Sequence, residues 1–181
     1  MNEHALLFVD TGSDGTAAPL RAVGGSAPDT LCVRTAVVAG AAPAFVECTQ
    51  LILADDDVLH LYGVSAQECF ERVRPLVGDA VMGVVIVVDD TRPDALAALD
   101  DGLVRFAALV AEVPLIVGIC RLRAAGASGL DEYARHLAGR GLDAAVVAID
   151  PCAREDVLYL VNMMVALVDS AQADGARPGA A

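Results

Sequence analysis

Two neighbouring aspartates, Asp89 and Asp90, follow directly on the apolar run Val81–Val88. A run of this kind predicts a buried parallel strand, so both carboxylates are expected at the carboxyl end of that strand. A phosphoacceptor aspartate occupies such a position, but that chemistry needs a lysine to neutralise the charge. The chain contains no lysine. We therefore expect Asp89 and Asp90 to cap the following helix or to lie in its loop.

The thiols and imidazoles do not form a recognisable site either. An odd, dispersed set of cysteines without a C-x-x-C pair is typical of reduced thiols rather than of a disulfide framework. The three histidines do not lie at zinc-ligand spacing from any cysteine pair. A cysteine nucleophile would need a histidine nearby, and none is close in sequence to Cys120 or Cys152. The cysteines are Cys32, Cys48, Cys69, Cys120 and Cys152, and the histidines are His4, His60 and His136.

The chain is strongly acidic, with 25 acidic residues against 12 basic ones and a net charge of −13. Nucleic-acid binding needs clustered cations, so this charge excludes it as an expected function, and it disfavours anionic membrane surfaces in the same way. The acidity predicts a solubilising surface and would favour a basic partner. No apolar run approaches the ~20 residues that span a bilayer, and no signal peptide is evident, so a cytoplasmic protein is expected.

Apolar strand-like runs alternate with amphipathic helical stretches along the chain. This alternation predicts βαβ units and a mostly parallel sheet in a single α/β domain over residues 1–170. The small-residue tail 171–181 is expected to be disordered. Predicted strands cover residues 5–9, 45–53, 58–62, 81–88, 115–120 and 145–149. Predicted helices cover residues 17–23, 67–76, 93–110, 130–137 and 153–170. Residues 24–30 are loop-like, residues 31–39 are ambiguous, and the acidic tetrad 54–57 predicts a hairpin turn.

One segment resembles a known family pattern. The sequence Leu59-His60-Leu61-Tyr62-Gly63-Val64-Ser65-Ala66-Gln67-Glu68-Cys69-Phe70 is similar to the L-x-L-Y/F-G-T-P-G-Q-E-R-F motif of bacterial MglA-like, Ras-related small GTPases. Three later segments occur in the same order as in the family: Asp89–Pro93, Val117–Cys120 and Asp150–Val157. The resemblance covers essentially the whole chain up to Ser170. The resemblance implies a Ras-like three-layer αβα fold, with a mostly parallel sheet of about six strands, one of them antiparallel, and about five helices. It would also imply GTP at the carboxyl ends of the strands.

The phosphate-binding loop of that family, G-x-x-x-x-G-K-[ST], corresponds to residues 10–17. Its lysine reaches the terminal phosphates and its hydroxyl binds Mg²⁺. The resemblance places the carboxylates of Asp10 and Asp14 where a triphosphate would be. At about 4–6 Å, the repulsion between like charges would cost a kilocalorie per mole or more. The resemblance places Asp10 at the first glycine, Gly12 and Asp14 inside the loop, Gly15 at the second glycine, Thr16 at the lysine and Ala17 at the Mg²⁺ ligand.

The two switch motifs are also altered. The family's switch I threonines correspond to residues 41–45, a stretch without a hydroxyl. In switch II, Gly63 is retained and Ala66 replaces the glycine whose N–H meets the γ-phosphate. Gln67 stands at the water-positioning place, and we interpret it as vestigial rather than catalytic; a polar residue in the first turn of a helix is an equal alternative.

The guanine-selecting motif N/T-K/R-x-D corresponds to Cys120–Arg123. Arg123 replaces the aspartate, and a guanidinium has only donors, so it cannot accept the protons of the base. Arg121 could stack on a base, but stacking does not select guanine. Arg154 matches the arginine of the family's later D-x-R segment.

Three of these losses are independent. At roughly 1.5–3 kcal/mol for each contact to a charged group, they would weaken nucleotide binding by several decades. The sequence thus predicts a catalytically inactive GTPase homologue, without cofactor or metal, that acts as a protein-interaction module. The resemblance suggests a Roadblock/LC7-type partner. The alternative is a divergent small GTPase that still binds and slowly hydrolyses GTP, with GTP and Mg²⁺ as its cofactors.

Overall fold

The computed structural model describes residues 3–12, 17–24, 29–33, 44–52, 58–78, 80–123 and 127–175. Within these ranges no helix is both long enough and apolar enough to cross a membrane. The elements are β1 (Glu3–Asp10), α1 (Ala17–Gly24), β2 (Asp29–Val33), β3 (Ala44–Ile52), β4 (Val58–Ser65), α2 (Phe70–Val77), β5 (Val81–Asp89), α3 (Ala95–Arg105), α4 (Ala107–Val110), β6 (Leu115–Cys120), α5 (Ala127–Gly139), β7 (Ala145–Ala148) and α6 (Arg154–Gly175).

The strands form one sheet in the order β2-β3-β4-β1-β5-β6-β7. β1 lies at its centre and pairs in parallel with β4 and β5, and β6 and β7 continue the parallel part. β3 runs antiparallel to both of its neighbours, β2 and β4. The α/β class, the mostly parallel sheet and the single antiparallel strand are therefore confirmed.

Helices cover both faces of the sheet. Because side chains alternate along a strand, Leu7 and Val9 of β1 point to one face and Leu6 and Phe8 to the other. The first face, called the α5 face here, packs against α2, α3, α4 and α5. The second, the α6 face, packs against α1 and α6. The result is the three-layer arrangement that the sequence predicts.

α6 approaches the sheet closely at one glycine. Gly83 of β5 lies against the buried side chain of Met164, and a Cβ atom at position 83 would overlap the Met164 sulfur. The absence of a side chain at position 83 is therefore what allows this helix to seat on β5.

Several predicted boundaries were wrong. In the part of the chain that the structure describes, the sheet has seven strands, close to the predicted number of about six. The additional strand is residues 29–33, which were predicted as loop and ambiguous chain and pair antiparallel with β3. The predicted helix 93–110 is two helices that meet at the buried Phe106. The last helix continues through residues 171–175, which were assigned to the tail. The hairpin turn 54–57, residues 34–43 and the tail beyond Gly175 lie outside the described residues.

Candidate functional site

The carboxyl ends of β1, β4, β5 and β6 meet at one edge of the sheet. Asp10 pairs with Ser65 at the ends of β1 and β4, and Asp89 pairs with Cys120 at the ends of β5 and β6. Ligands of open α/β sheets bind in the crevice at this edge. The polar residues gathered here are therefore the candidate site.

The loop after β1 begins in a set of internal hydrogen bonds. The backbone N–H of Gly12 donates to Asp10 Oδ1 at 2.8 Å. Thr11 donates from both its N–H and its hydroxyl to the Val87 carbonyl, each at 3.0 Å. The Ala66 N–H donates to the Asp10 carbonyl at 2.8 Å. The Asp10 carboxylate thus accepts a loop N–H that the resemblance would assign to phosphate. Asp14, Gly15, Thr16 and the side chain of Ala17 lie outside the described residues.

On the α6 face, Asp89 holds the end of β6. Its Oδ2 forms an ion pair with Nη2 of Arg121 at 2.9 Å. Its Oδ1 accepts from the N–H and hydroxyl of Thr91 at 3.0 and 2.6 Å. Arg121 has φ = 54°, a left-handed conformation that is uncommon outside glycine. The ion pair is therefore made by a residue with an uncommon backbone conformation.

On the α5 face, Asp90 holds the loop that follows β6. It accepts the Arg123 N–H at 2.8 Å, the Arg123 guanidinium at 3.4 Å and the Tyr133 hydroxyl at 2.7 Å. Burial by itself would raise the pKa of Asp90, but these hydrogen bonds and the charge of Arg123 together lower it. Burial and the bond to Asp90 raise the pKa of Tyr133. Arg123, which the resemblance places at the guanine-selecting position, is thus bound to the chain's own carboxylate.

Of the two sequence expectations for this aspartate pair, the loop position is correct for Asp90 only, because Asp89 is the last residue of β5, and neither aspartate caps α3. α3 begins after Asp94, whose side chain makes no capping hydrogen bond either. Asp94 is instead bound by both Nε and Nη2 of Arg92, at 3.0 and 2.8 Å. The hydrogen bonds and charge of Asp94 raise the pKa of Arg92, with smaller contributions from Asp89 and Asp10.

The turn between β4 and α2 and the end of β4 contain the residues that the resemblance assigns to switch II. Gly63 lies within β4, Ala66 is buried, and Gln67 lies in the turn rather than in the helix. The Gln67 N–H donates to Ser65 Oγ at 3.2 Å, and its carbonyl accepts from the Arg105 guanidinium at 3.1 Å. The exposed Gln67 side chain borders a polar groove of about 200 Å³ between this turn and α3.

Arg154 makes its described contact with α1 rather than with the residues at the strand ends. Its guanidinium donates to the Val23 carbonyl at 2.6 Å, in the last turn of α1. A cation at the C-terminal end of a helix satisfies a free carbonyl and interacts favourably with the helix dipole. Arg154 therefore joins α6 to α1 as a structural contact.

A small cavity of about 40 Å³ lies under the cleft on the α6 face. Its lining combines apolar strand and helix residues with the polar groups described above: Phe8, Asp10, Gly12, Ala18, Pro19, Val87, Asp89, Cys120, Arg121 and Pro151. Across the ranges that the structure describes, no three His, Cys, Asp or Glu side chains are grouped closely enough to hold a metal ion.

Four residues of the cluster were missed by sequence reasoning: Thr91, Arg92, Arg105 and Tyr133. Thr91 and Arg92 follow the aspartate pair directly, so their position after a strand end was a usable indication. Arg105 and Tyr133 lie far along the chain from their partners and carry no motif, so only the fold brings them to the site.

The strand-end cluster therefore consists of carboxylates that bind the arginines and N–H groups beside them. Comparison of the chain with models of protein families gives no match, and comparison with curated proteins gives none.

Proposed function

We propose that the chain is a catalytically inactive homologue of Ras-like GTPases that acts as a protein-interaction or regulatory module. The observation that carries the proposal is the pairing at the end of β6. Arg121 and Arg123, which the resemblance places at the guanine-selecting segment, are bound by Asp89 and Asp90. A nucleotide would have to displace charge-assisted contacts and to approach carboxylates at the same time.

The switch II turn supports a fixed rather than a switching surface. Ala66 and Gln67 are held by Asp10, Ser65 and Arg105, all from the chain itself. A turn that is ordered by internal contacts does not need a γ-phosphate to order it. Such a surface presents one conformation to a partner.

Nucleotide binding is the first test. We expect titration calorimetry with GTP, GDP or ATP in the presence of Mg²⁺ to show no binding tighter than a Kd of about 1 mM, because the cationic contacts of a phosphate site are lost or self-paired. A Kd below about 10 µM for GTP would contradict the proposal and favour the divergent GTPase instead.

Partner binding is the second test. The family resemblance suggests a Roadblock/LC7-type protein from the same organism, and a basic contact face would suit the charge of −13. We expect the two purified proteins to form a complex on size-exclusion chromatography whose affinity is the same with GTP, with GDP or with no nucleotide. A complex that forms only with one nucleotide would contradict a fixed surface.

A further inference from the structure

β7 forms an open edge of the sheet. In the part of the chain that the structure describes, β7 pairs with β6 and no strand lies on its other side. β6 is buried along its whole length, whereas residues 145–147 are half-buried and Ala148 is exposed. A free strand edge is a template for pairing with another chain, and folded proteins usually guard it with a charge or a proline. Residues 144–149 contain neither.

The backbone of β7 shows which groups face outwards. The Ile149 N–H donates to the Ile119 carbonyl at 2.9 Å, so position 149 directs its backbone groups towards β6. Backbone groups alternate in direction along a strand. Val147 therefore also faces β6, whereas Val146 and Ala148 direct their N–H and C=O groups away from the sheet. These outward groups can bond to a strand alongside.

This edge is complementary to itself. In an antiparallel pair about a two-fold axis through Val146, the two copies of Val146 would exchange both of their outward hydrogen bonds. Ala148 would do the same with Ala144 of the second copy. The paired residues are thus apolar on both strands.

The same register keeps the flanking carboxylates apart. Asp143 would lie opposite Ile149 of the second copy. Asp150 would lie opposite Leu142 of the second copy. Like charges directly opposite each other destabilise a strand pair, and this register has none.

An axis through Val147 fits less well. It would pair Ala144 with Asp150 of the second copy, and the Asp150 N–H already donates to Asp156 Oδ2 at 2.7 Å. The axis through Val146 needs only groups that face outwards, so it is the register that the structure favours.

An exposed aromatic residue lies on the helix beside this edge. Tyr159 of α6 is 57% exposed. At 3.6 residues per turn it lies about 140° around the helix from Arg154, which contacts α1. α1 packs on β3 and β4, on the side of α6 away from β7, so Tyr159 lies on the flank of α6 that is nearer to β7. A partner seated on the β7 edge would bury this ring.

We propose that β7 pairs with β7 of a second copy of this chain, antiparallel about Val146, so that the two sheets join into one. A second copy is the occupant because the register matches apolar residues and separates the carboxylates. The inference goes beyond the proposed function and does not depend on it, because it uses no residue of the strand-end cluster. Each copy carries a charge of −13, so overall repulsion opposes the pairing and salt should strengthen it.

The test is sedimentation velocity of the full chain from about 5 to 500 µM. We expect a monomer–dimer equilibrium with a Kd on the order of 100 µM, because pairing of one short strand buries less than the ~1,200 Å² of a standard interface. Raising the NaCl concentration from about 0.05 to 0.5 M should lower the Kd at least about threefold, since salt screens the repulsion between two acidic copies.

Variants locate the interface. Val146→Pro and Ala148→Pro each remove an outward N–H that the fold does not use, and proline is tolerated on edge strands. Each should raise the Kd at least about tenfold, with folding checked by circular dichroism. Tyr159→Ser should raise it at least about threefold. The matched control is Val104→Ser, because Val104 is 67% exposed on α3, which packs on β5, and its Kd should stay within about twofold.

Hydrogen exchange gives a readout that needs no variant, since the Val146 amide of the unmodified chain should exchange more slowly at about 500 µM than at about 5 µM. A chain that stays monomeric throughout would overturn the proposal and leave a strand of a different protein as the occupant of this edge. A dimer that both folded proline variants retain, or in which the Val146 amide is unprotected, would overturn it as well.

Discussion

Replacing Gly83 with alanine should lower the free energy of unfolding by about 2 kcal/mol, because the new methyl group would enter space that Met164 fills. Met164 is fully buried between α6 and the sheet, so its thioether cannot swing into solvent. Either the helix shifts outward or the side chain leaves its rotamer. The thermal midpoint should fall by about 4–8 °C, as measured by calorimetry or circular dichroism.

Gly139→Ala is the matched control for this substitution. Gly139 lies at the end of α5, and an added Cβ there meets no atom within 4 Å. Alanine is the better helix former, so this variant should be unchanged or more stable by about 0.5–1 kcal/mol. Equal stability of the two alanine variants would show that α6 does not seat on β5 as described.

Replacing Asp90 with alanine should cost about 3 kcal/mol of unfolding free energy. The substitution leaves the Arg123 N–H and the buried Tyr133 hydroxyl without their shared acceptor. Tyr133→Phe removes only one of these bonds and should cost about 1 kcal/mol. The two losses should be less than additive in a double-mutant cycle, because both variants break the same hydrogen bond.

The exposed Asp101 of α3 supplies the control for the Asp90 variant, since Asp101→Ala should change the stability by no more than about 0.5 kcal/mol. Urea denaturation measures all of these values. A cost for Asp90→Ala as small as that of Asp101→Ala would mean that the Asp90 contacts contribute nothing net to the fold.

The same carboxylate gives the stability a predictable pH dependence. The pKa of Asp90 is lower in the folded chain than its ordinary value, so its ionised form stabilises the fold. That contribution is complete above about pH 4, the ordinary aspartate range, and is lost as the pH falls through the lower folded-state pKa. The stability difference between the unmodified chain and Asp90→Asn should therefore be constant from neutral pH to about pH 5 and shrink below about pH 4.

The central strands of this sheet were predictable because the apolar pattern of each strand is contained in its own short segment of sequence. β5 and β6 are continuous apolar runs that are buried on both faces, which is the pattern of central parallel strands. β2 was missed because its five residues begin with Asp29 and Thr30 and show no periodicity. Its strand conformation comes from pairing with β3, a partner that lies beyond a long intervening segment.

The candidate site was predictable only in part for the same reason. The positions of Asp10, Asp89 and Asp90 followed from the strand ends, but their partners did not. Tyr133 is 43 residues away from Asp90, and an aromatic residue at helical spacing is ordinarily a core residue. A run of small residues after Ser170 is typical of a disordered tail, but alanine and glutamine continue a helix well, and α6 extends to Gly175.

The central place of β1 affects how the chain is made. β1 is synthesised before both of its neighbours, because β4 and β5 are not complete until residues 65 and 89. At roughly 5–20 residues per second, translation takes on the order of ten seconds to supply both. Until residue 65 has been made, β1 is an apolar strand without either neighbour on the nascent chain, which is the kind of segment that chaperones hold. The centre of the sheet, β4-β1-β5, can therefore form only after residue 89 has been synthesised.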